Sequence, residues 1–352
     1  MQIEIAEKKI GAGFPCYIIA EAGVNHNGDL AIAKSLIHEA SKSGADCVKF
    51  QTFKAERVVT QSAPKANYQL GTTDPNEAQI DMLKSLELKE EYYSELINLC
   101  KEYRIDFLST PYNIEDIVFL EEHGVSAYKV ASALLVEPSF LKALSLTGKP
   151  IILSTGMATL AEVDEAVGVI MREGNQQIVL LQCSTDYPSA VKHANLRAMQ
   201  TMQNSFGFPI GYSDHTQDST SCIAAVALGA KVIEKHFTLD KNLVGPDQST
   251  SADPIEFKSL VKYIRDTESA LGDYKKVPNK AEIRNKVGMR RSIVARYPIP
   301  SGTIIVPELL TYKRPATGIL PKEEDLLCGS VARFDIDADQ TLEWWMFEKN
   351  RD

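Results

Sequence analysis

The chain has 352 residues, 44% of them hydrophobic, with 38 Lys and Arg against 47 Asp and Glu and a formal net charge of −9. That suffices for one large domain with an appendage, and the acidic balance excludes nucleic acid and anionic membrane as expected partners, since both demand a basic face. No apolar stretch approaches the ~20 residues of a membrane span, the opening MQIEIAEKKI lacks a signal core, and the six cysteines form no CxxC pair, so a soluble cytoplasmic protein with reduced thiols is expected.

Eight short apolar runs ending in polar residues set the rhythm of the first 237 positions: 17–23 (YIIAEAG), 47–52 (CVKFQT), 105–111 (IDFLSTP), 127–132 (AYKVAS), 150–156 (PIILSTG), 178–184 (IVLLQCS), 210–215 (IGYSDH) and 231–237 (KVIEKHF). Runs this short, separated by helical stretches, mark a buried parallel sheet, and eight of them predict a closed (β/α)8 TIM barrel. After the first run, Asp29 caps a helix that Gly44 ends. Between the second and third runs, residues 53–88 hold a long excursion whose polar part, around 64–81, reads as a mobile binding loop over the substrate. Thr159 with Glu162 forms a capping box, and Asp253-Pro254 opens the last barrel helix. The barrel is expected over residues 1–275, a charged linker over 276–286, and a small β-rich domain over 287–352, with turns at Pro300-Ser301-Gly302 and Asp337-Ala338-Asp339.

Active sites in such barrels sit at the carboxyl ends of the strands. His215 and His236 end neighbouring strands, where two imidazoles can bind one divalent ion and leave positions open for substrate; manganese or magnesium suits such a site better than structural zinc, with cobalt as a further option. Lys49 and Lys129 lie inside apolar runs, where an ammonium is costly unless an anion pairs with it. With Thr110, Ser132 and Ser154, and with Lys235 as a third cation, they make a phosphate cradle without a Walker motif. Lys49 with Gln51, Ser213 with His215 and Glu234 with His236 have the i, i+2 spacing of one strand face. Glu21 reads as a general base, a metal neighbour or a partner for Lys49. Asp247, after the eighth strand, is placed to reach the metal or sugar hydroxyls.

The motifs AEAGVNHNGD, VKFQT, LSTP, YKVAS, ILSTGM, GYSDHT, EKHFTLDKNLVGPD and the terminal KRP, taken together, resemble the sialic acid synthases over nearly the whole chain. The tail resembles that family's antifreeze-like (SAF) domain. The resemblance implies condensation of phosphoenolpyruvate with N-acetylmannosamine to give N-acetylneuraminate and phosphate, or, as the alternative, a legionaminic or pseudaminic acid synthase acting on a diacetamido-trideoxy hexose. It implies a homodimer in which the SAF domain covers the partner's active site. His215 and His236 would be the metal ligands. Lys49, Thr110, Lys129, Ser132 and Ser154 would hold phosphoenolpyruvate, with Thr185 and Tyr187 at its border. Gln51, Tyr187 and Asp247 would face the sugar, and Arg314 would reach its N-acetyl group from the partner. Leu134 stands where the family has an acidic residue that contacts sugar hydroxyls, which points to a less polar or differently decorated acceptor; Glu137 either compensates or begins the following helix. Two rivals are a Schiff-base aldolase using Lys129 and a non-catalytic sugar-binding protein.

Overall fold

Each of the eight apolar runs forms a strand, and all pair in parallel because the helices between them return the chain to the same end of the sheet. The computed structural model describes residues 1–350, apart from the side chains of Asn67 and Tyr68, on which part of the expectation for the 64–81 loop falls. A hairpin of β1 (Gln2–Ile5) and β2 (Lys8–Gly11) precedes the barrel. The barrel itself is β3 (Tyr17–Gly23), β4 (Cys47–Thr52), β5 (Asp106–Pro111), β6 (Tyr128–Val130), β7 (Ile151–Ser154), β8 (Ile178–Cys183), β9 (Ile210–Asp214) and β10 (Val232–His236). The ladder runs β5-β4-β3-β10-β9-β8-β7-β6, and β5 packs beside β6 to bring the ends of the sheet together.

Alternation along each strand sorts the side chains into two layers. Ile18, Ala20, Val48, Phe50, Tyr128, Leu153 and Ile233 point outward under the helices. Inside, Tyr17, Ile19, Cys47, Leu108, Ala127, Ile152, Leu181 and Val232 form an apolar floor, sealed from below by Ile3, Ile5 and Ile10 of the hairpin. This hairpin is too short to stand out in the sequence, yet its alternating isoleucines are fully paid into that floor: Ile5 and Ile10 have no exposed surface.

The expected helix ends are present. The Asp29 side chain accepts from the amides of Ala31 and Ile32, Gly44 has φ +87°, and both Thr159–Glu162 and Asp253–Glu256 form capping boxes. The 53–88 interval is more ordered than a polar loop: it holds helices Ala55–Val58, Asn67–Thr72 and Gln79–Ser85. Its polar composition hid Ile80 and Met82, which are buried.

The chain divides into two compact units, Met1–Gly272 and the part from Asp273 onward. In the second unit, the stretch read as linker carries a helix, Lys280–Met289, started by an Asn279–Glu282 capping box. Two small antiparallel sheets follow, β11 (Ser292–Ala295) with β12 (Leu310–Lys313) and β13 (Ser330–Ala332) with β14 (Phe347–Lys349). Ile293, Ile299, Ile305, Leu327, Ile336 and Leu342 form their core. Among the described residues no helix is long and apolar enough to cross a membrane.

Candidate active site

One step of two residues up each strand from the apolar floor, the inward side chains change character. Ile19 is followed by Glu21, Cys47 by Lys49, Leu108 by Thr110, Ala127 by Lys129, Ile152 by Ser154 and Val232 by Glu234. These residues, with Gln51, Ser132, Thr185, Tyr187, Ser213, His215, His236 and Asp247, line a single cavity of about 280 Å³. Of the candidates named from the sequence in the first unit, all but Lys235 and Glu137 are therefore brought together. Arg314 belongs to the second unit, exposed just after β12 and followed by a cis bond to Pro315.

The floor of the cavity is a chain of alternating charges. Lys49 Nζ lies 2.6 Å from Glu21 Oε2, 3.8 Å from Glu234 Oε2 and 2.9 Å from Thr110 Oγ1. Lys129 Nζ lies 3.2 Å from Glu234 Oε1, which also accepts from Ser213 Oγ at 2.8 Å. Gln51 Nε2 donates to Glu21 Oε1 at 3.0 Å and Tyr112 OH donates to Gln51 at 3.3 Å. Ser154 Oγ is buried without a hydrogen-bond partner among the described residues, as expected of a group kept for a ligand.

The two carboxyls are driven apart. Burial raises the pKa of Glu21, with the charge of Glu234 adding to it, and Lys49 offsets only part of this. For Glu234 burial also raises, but Lys129 and Lys49 outweigh it and hold the group below the ordinary carboxylate range. Two neighbouring carboxyls with diverging proton affinities are a pattern for acid–base work. Glu234 was visible only as the strand-mate of His236; its bridging of two lysines follows from the closure of the barrel.

His215 and His236 face each other with ring centroids 5.4 Å apart, and the Tyr187 ring lies 4.1 Å from that of His215. His215 Nδ1 is 2.7 Å from the Ser184 carbonyl, which can only accept, so Nδ1 carries the proton and Nε2 keeps its lone pair. Burial works against protonation of His215, but contact with the Cys183 thiol and the Ser184 carbonyl raises its pKa overall. Burial lowers the His236 pKa to about 4, against the pull of Asp247, and its buried Nδ1 has no hydrogen bond. Asp247 Oδ2 is 3.8 Å from that nitrogen. Two lone-pair nitrogens beside a carboxylate fit an exchangeable divalent ion. Among the described residues no group of three or more His, Cys, Asp or Glu could hold a metal by itself, so water and substrate would have to complete the shell.

Two expectations are corrected. Lys235 is not a third cradle cation: alternation turns it outward, where it is buried against Asp214 Oδ2 at 2.7 Å and the Thr216 carbonyl at 2.7 Å. Asp214 is held in turn by the Tyr212 hydroxyl at 3.0 Å and the Cys222 thiol at 3.1 Å. Leu134 does not face the cavity either. Ser132–Val136 is a 3-10 turn, which breaks the two-residue period of β6 and sends Leu134 into the core beneath the helices. Ala133 lines the cavity instead, and Glu137 is exposed outside it.

Other lining residues were absent from the sequence-based site. Val24, Phe53, Val58, Met82, Leu83 and Leu86 line the same cavity, and most of them come from the 53–88 interval. Their signal was faint because helical turns, not a strand, place them.

The chain belongs to the NeuB family, whose model matches residues 36–276, and the SAF domain model matches residues 290–348. It is 46% identical over 327 residues to the N,N'-diacetyllegionaminic acid synthase of Campylobacter jejuni, covering 92% of this chain and 98% of that protein. It is 43% identical to the enzyme of the same name from Legionella pneumophila, covering 96% of each. The crystal structure of the N-acetylneuraminic acid (sialic acid) synthetase from Leptospira borgpetersenii, in complex with citrate, superposes with a TM-score of 0.73 at 33% identity, covering 81% of this chain and 95% of that one.

Proposed function

We propose that the protein condenses phosphoenolpyruvate with a 2,4-diacetamido-2,4,6-trideoxyhexose, giving N,N'-diacetyllegionaminic acid and phosphate. The observation that carries the reaction type is the pair of buried lysines, Lys49 and Lys129, set beside two imidazoles in one cavity. The choice of acceptor rests on relatives of 46% and 43% identity that are named for legionaminic acid, against 33% for the sialic acid synthetase. N-Acetylmannosamine, the first acceptor that the family resemblance implies, becomes the second reading.

Lys49 and Lys129 bind the phosphate and carboxylate of phosphoenolpyruvate, with Thr110, Ser132 and Ser154 adding hydrogen bonds and Thr185 at the border. Gln51, Tyr187 and Asp247 orient the sugar. A divalent ion, manganese for preference, held by His215 and His236 would supply a Lewis acid for the acceptor aldehyde. Carbon three of phosphoenolpyruvate bonds to the aldehyde carbon, whose oxygen gains a proton. Water then adds to carbon two and gives one proton to the Glu21 carboxylate, which makes good the proton taken up by the aldehyde oxygen; as the hemiketal phosphate collapses to the ketone, the second water proton goes to the departing phosphate, which keeps its bridging oxygen. Glu21 is suited to this because burial raises its affinity for a proton. The proposal includes a homodimer in which the SAF unit covers the partner's site and brings Arg314 to the N-acetyl group. A cytoplasmic setting accords with six free cysteines.

The test is phosphate release from phosphoenolpyruvate with a panel of acceptors: the diacetamido-trideoxy sugar, its pseudaminic epimer, N-acetylmannosamine and its 6-phosphate. Fastest turnover of the first is expected. In water labelled with oxygen-18 the label should enter the nonulosonic acid and not the phosphate; labelled phosphate would rule out carbon–oxygen cleavage. Borohydride should trap no lysine adduct. Light scattering should give a dimer mass, and Arg314→Ala should raise the acceptor KM more than that of phosphoenolpyruvate.

A further inference from the structure

The cavity has two unlike walls, and only the charged one is engaged by the chemistry above. In the remainder of its lining, Val24, Phe53, Met82 and Leu86 form a buried apolar cluster, with Val58 and Leu83 packed against it. All six also line the cavity. Phe53 is fixed by an edge-on contact with Tyr112 at 5.8 Å, and Tyr112 in turn donates to Gln51 on the charged side. The wall is therefore a built surface, anchored to β3 and β4 by Val24 and Phe53 and completed by helices Ala55–Val58 and Gln79–Ser85.

A fully hydroxylated sugar gains nothing from such a surface. Each hydroxyl turned toward it loses its water and finds no hydrogen-bonding side chain among these six. A carbon without oxygen loses nothing there and buries its methyl group. We propose that this wall is the specificity element of the site, selecting acceptors that present a deoxygenated, methyl-bearing edge, and that the 53–88 interval, not the end of β6, sets the substrate preference. This rests on the acceptor reading proposed above and assigns it to particular side chains.

The experiment compares kcat/KM for the 6-deoxy diacetamido sugar with that for N-acetylmannosamine in wild type, Val58→Thr and Met82→Gln. Val58→Thr exchanges a methyl for a hydroxyl at nearly constant volume, and Met82→Gln puts an amide in place of a thioether. The ratio does not depend on how much of each preparation is folded. It should fall about 10-fold in each variant, the scale of discrimination that a single methyl-sized contact supplies. A ratio within twofold of wild type in both variants overturns the role of the wall and leaves the proposed reaction standing. A wild-type preference for N-acetylmannosamine overturns the acceptor reading and the wall together, before any variant is made.

Discussion

The two ends of the barrel interior are built from the same strands and are equally dry, yet they have opposite chemistry. At the lower end Ile19, Cys47, Leu108, Ala127, Ile152 and Val232 meet the hairpin isoleucines, and nothing polar is left to satisfy. Two residues further along the same strands, Glu21, Lys49, Thr110, Lys129, Ser154 and Glu234 are each 5% exposed or less, and their four charges are arranged so that every one has an opposite neighbour. Apolar burial at one end stabilises the fold, about 25 cal/mol for each Å² removed from water. Buried charge at the other roughly breaks even at best, so it adds little to the stability of the fold. Stability and activity should therefore respond to different ends of one strand.

The comparison is tested most severely at the histidines. His215→Ala should lower kcat by about 10³-fold or more, since a Lewis acid supplies several kcal/mol at the transition state. The circular dichroism spectrum should not change, and a chelator should reproduce the loss until manganese is added back; activity within tenfold of wild type would break the assignment. Lys129→Met, next in size, should cost about 100-fold in kcat/KM for phosphoenolpyruvate. It should also cost about 3 kcal/mol of stability, because Glu234 keeps only the more distant Lys49 as a counter-charge. Ile5→Ala should reverse the pattern. A loss of about 3 kcal/mol in urea unfolding is expected, with kcat/KM of the folded enzyme unchanged; loss of activity at full stability would show that the two ends are not separable.

The smallest effect concerns His26, in the turn after β3, whose pKa burial lowers to about 4. Unfolded, the ring takes a proton near pH 6.5; folded, it does not until about pH 4. The native state therefore loses stability as the pH falls through that window, by about 2 kcal/mol at pH 5. In His26→Gln the fall in stability between pH 7 and pH 5 should be smaller by that amount. Equal slopes in variant and wild type would place the titration elsewhere, with His236 the first candidate.

Much of the barrel is legible because parallel strands write continuous apolar runs, and β3 and β4 are bounded as the runs are. The hairpin is not, since four residues of alternation such as Gln2–Ile5 are too few to separate from chance. At the site, the i, i+2 rule carries Lys49 with Gln51 and Glu234 with His236. Applied to Lys235, the same rule sends it outward, so its place beside Asp214 was available from spacing alone. Leu134 fails for another reason. A 3-10 turn follows β6, and a rule of period two does not survive the change of geometry. Met82 and Leu86 lay beyond reach because a short helix brings them to the cavity only through the fold of the whole interval.

The Asp214–Lys235 pair bears on the histidines that follow each member by one residue. It joins β9 to β10 on the outer side of the sheet, buried and held by a tyrosine, a thiol and a carbonyl. The gap between the two imidazoles is thus calibrated from behind, by groups that no substrate meets. A change at Tyr212 or Cys222 should therefore alter the proposed ion site while every residue lining the cavity stays the same, and a survey of the lining alone would never find the cause.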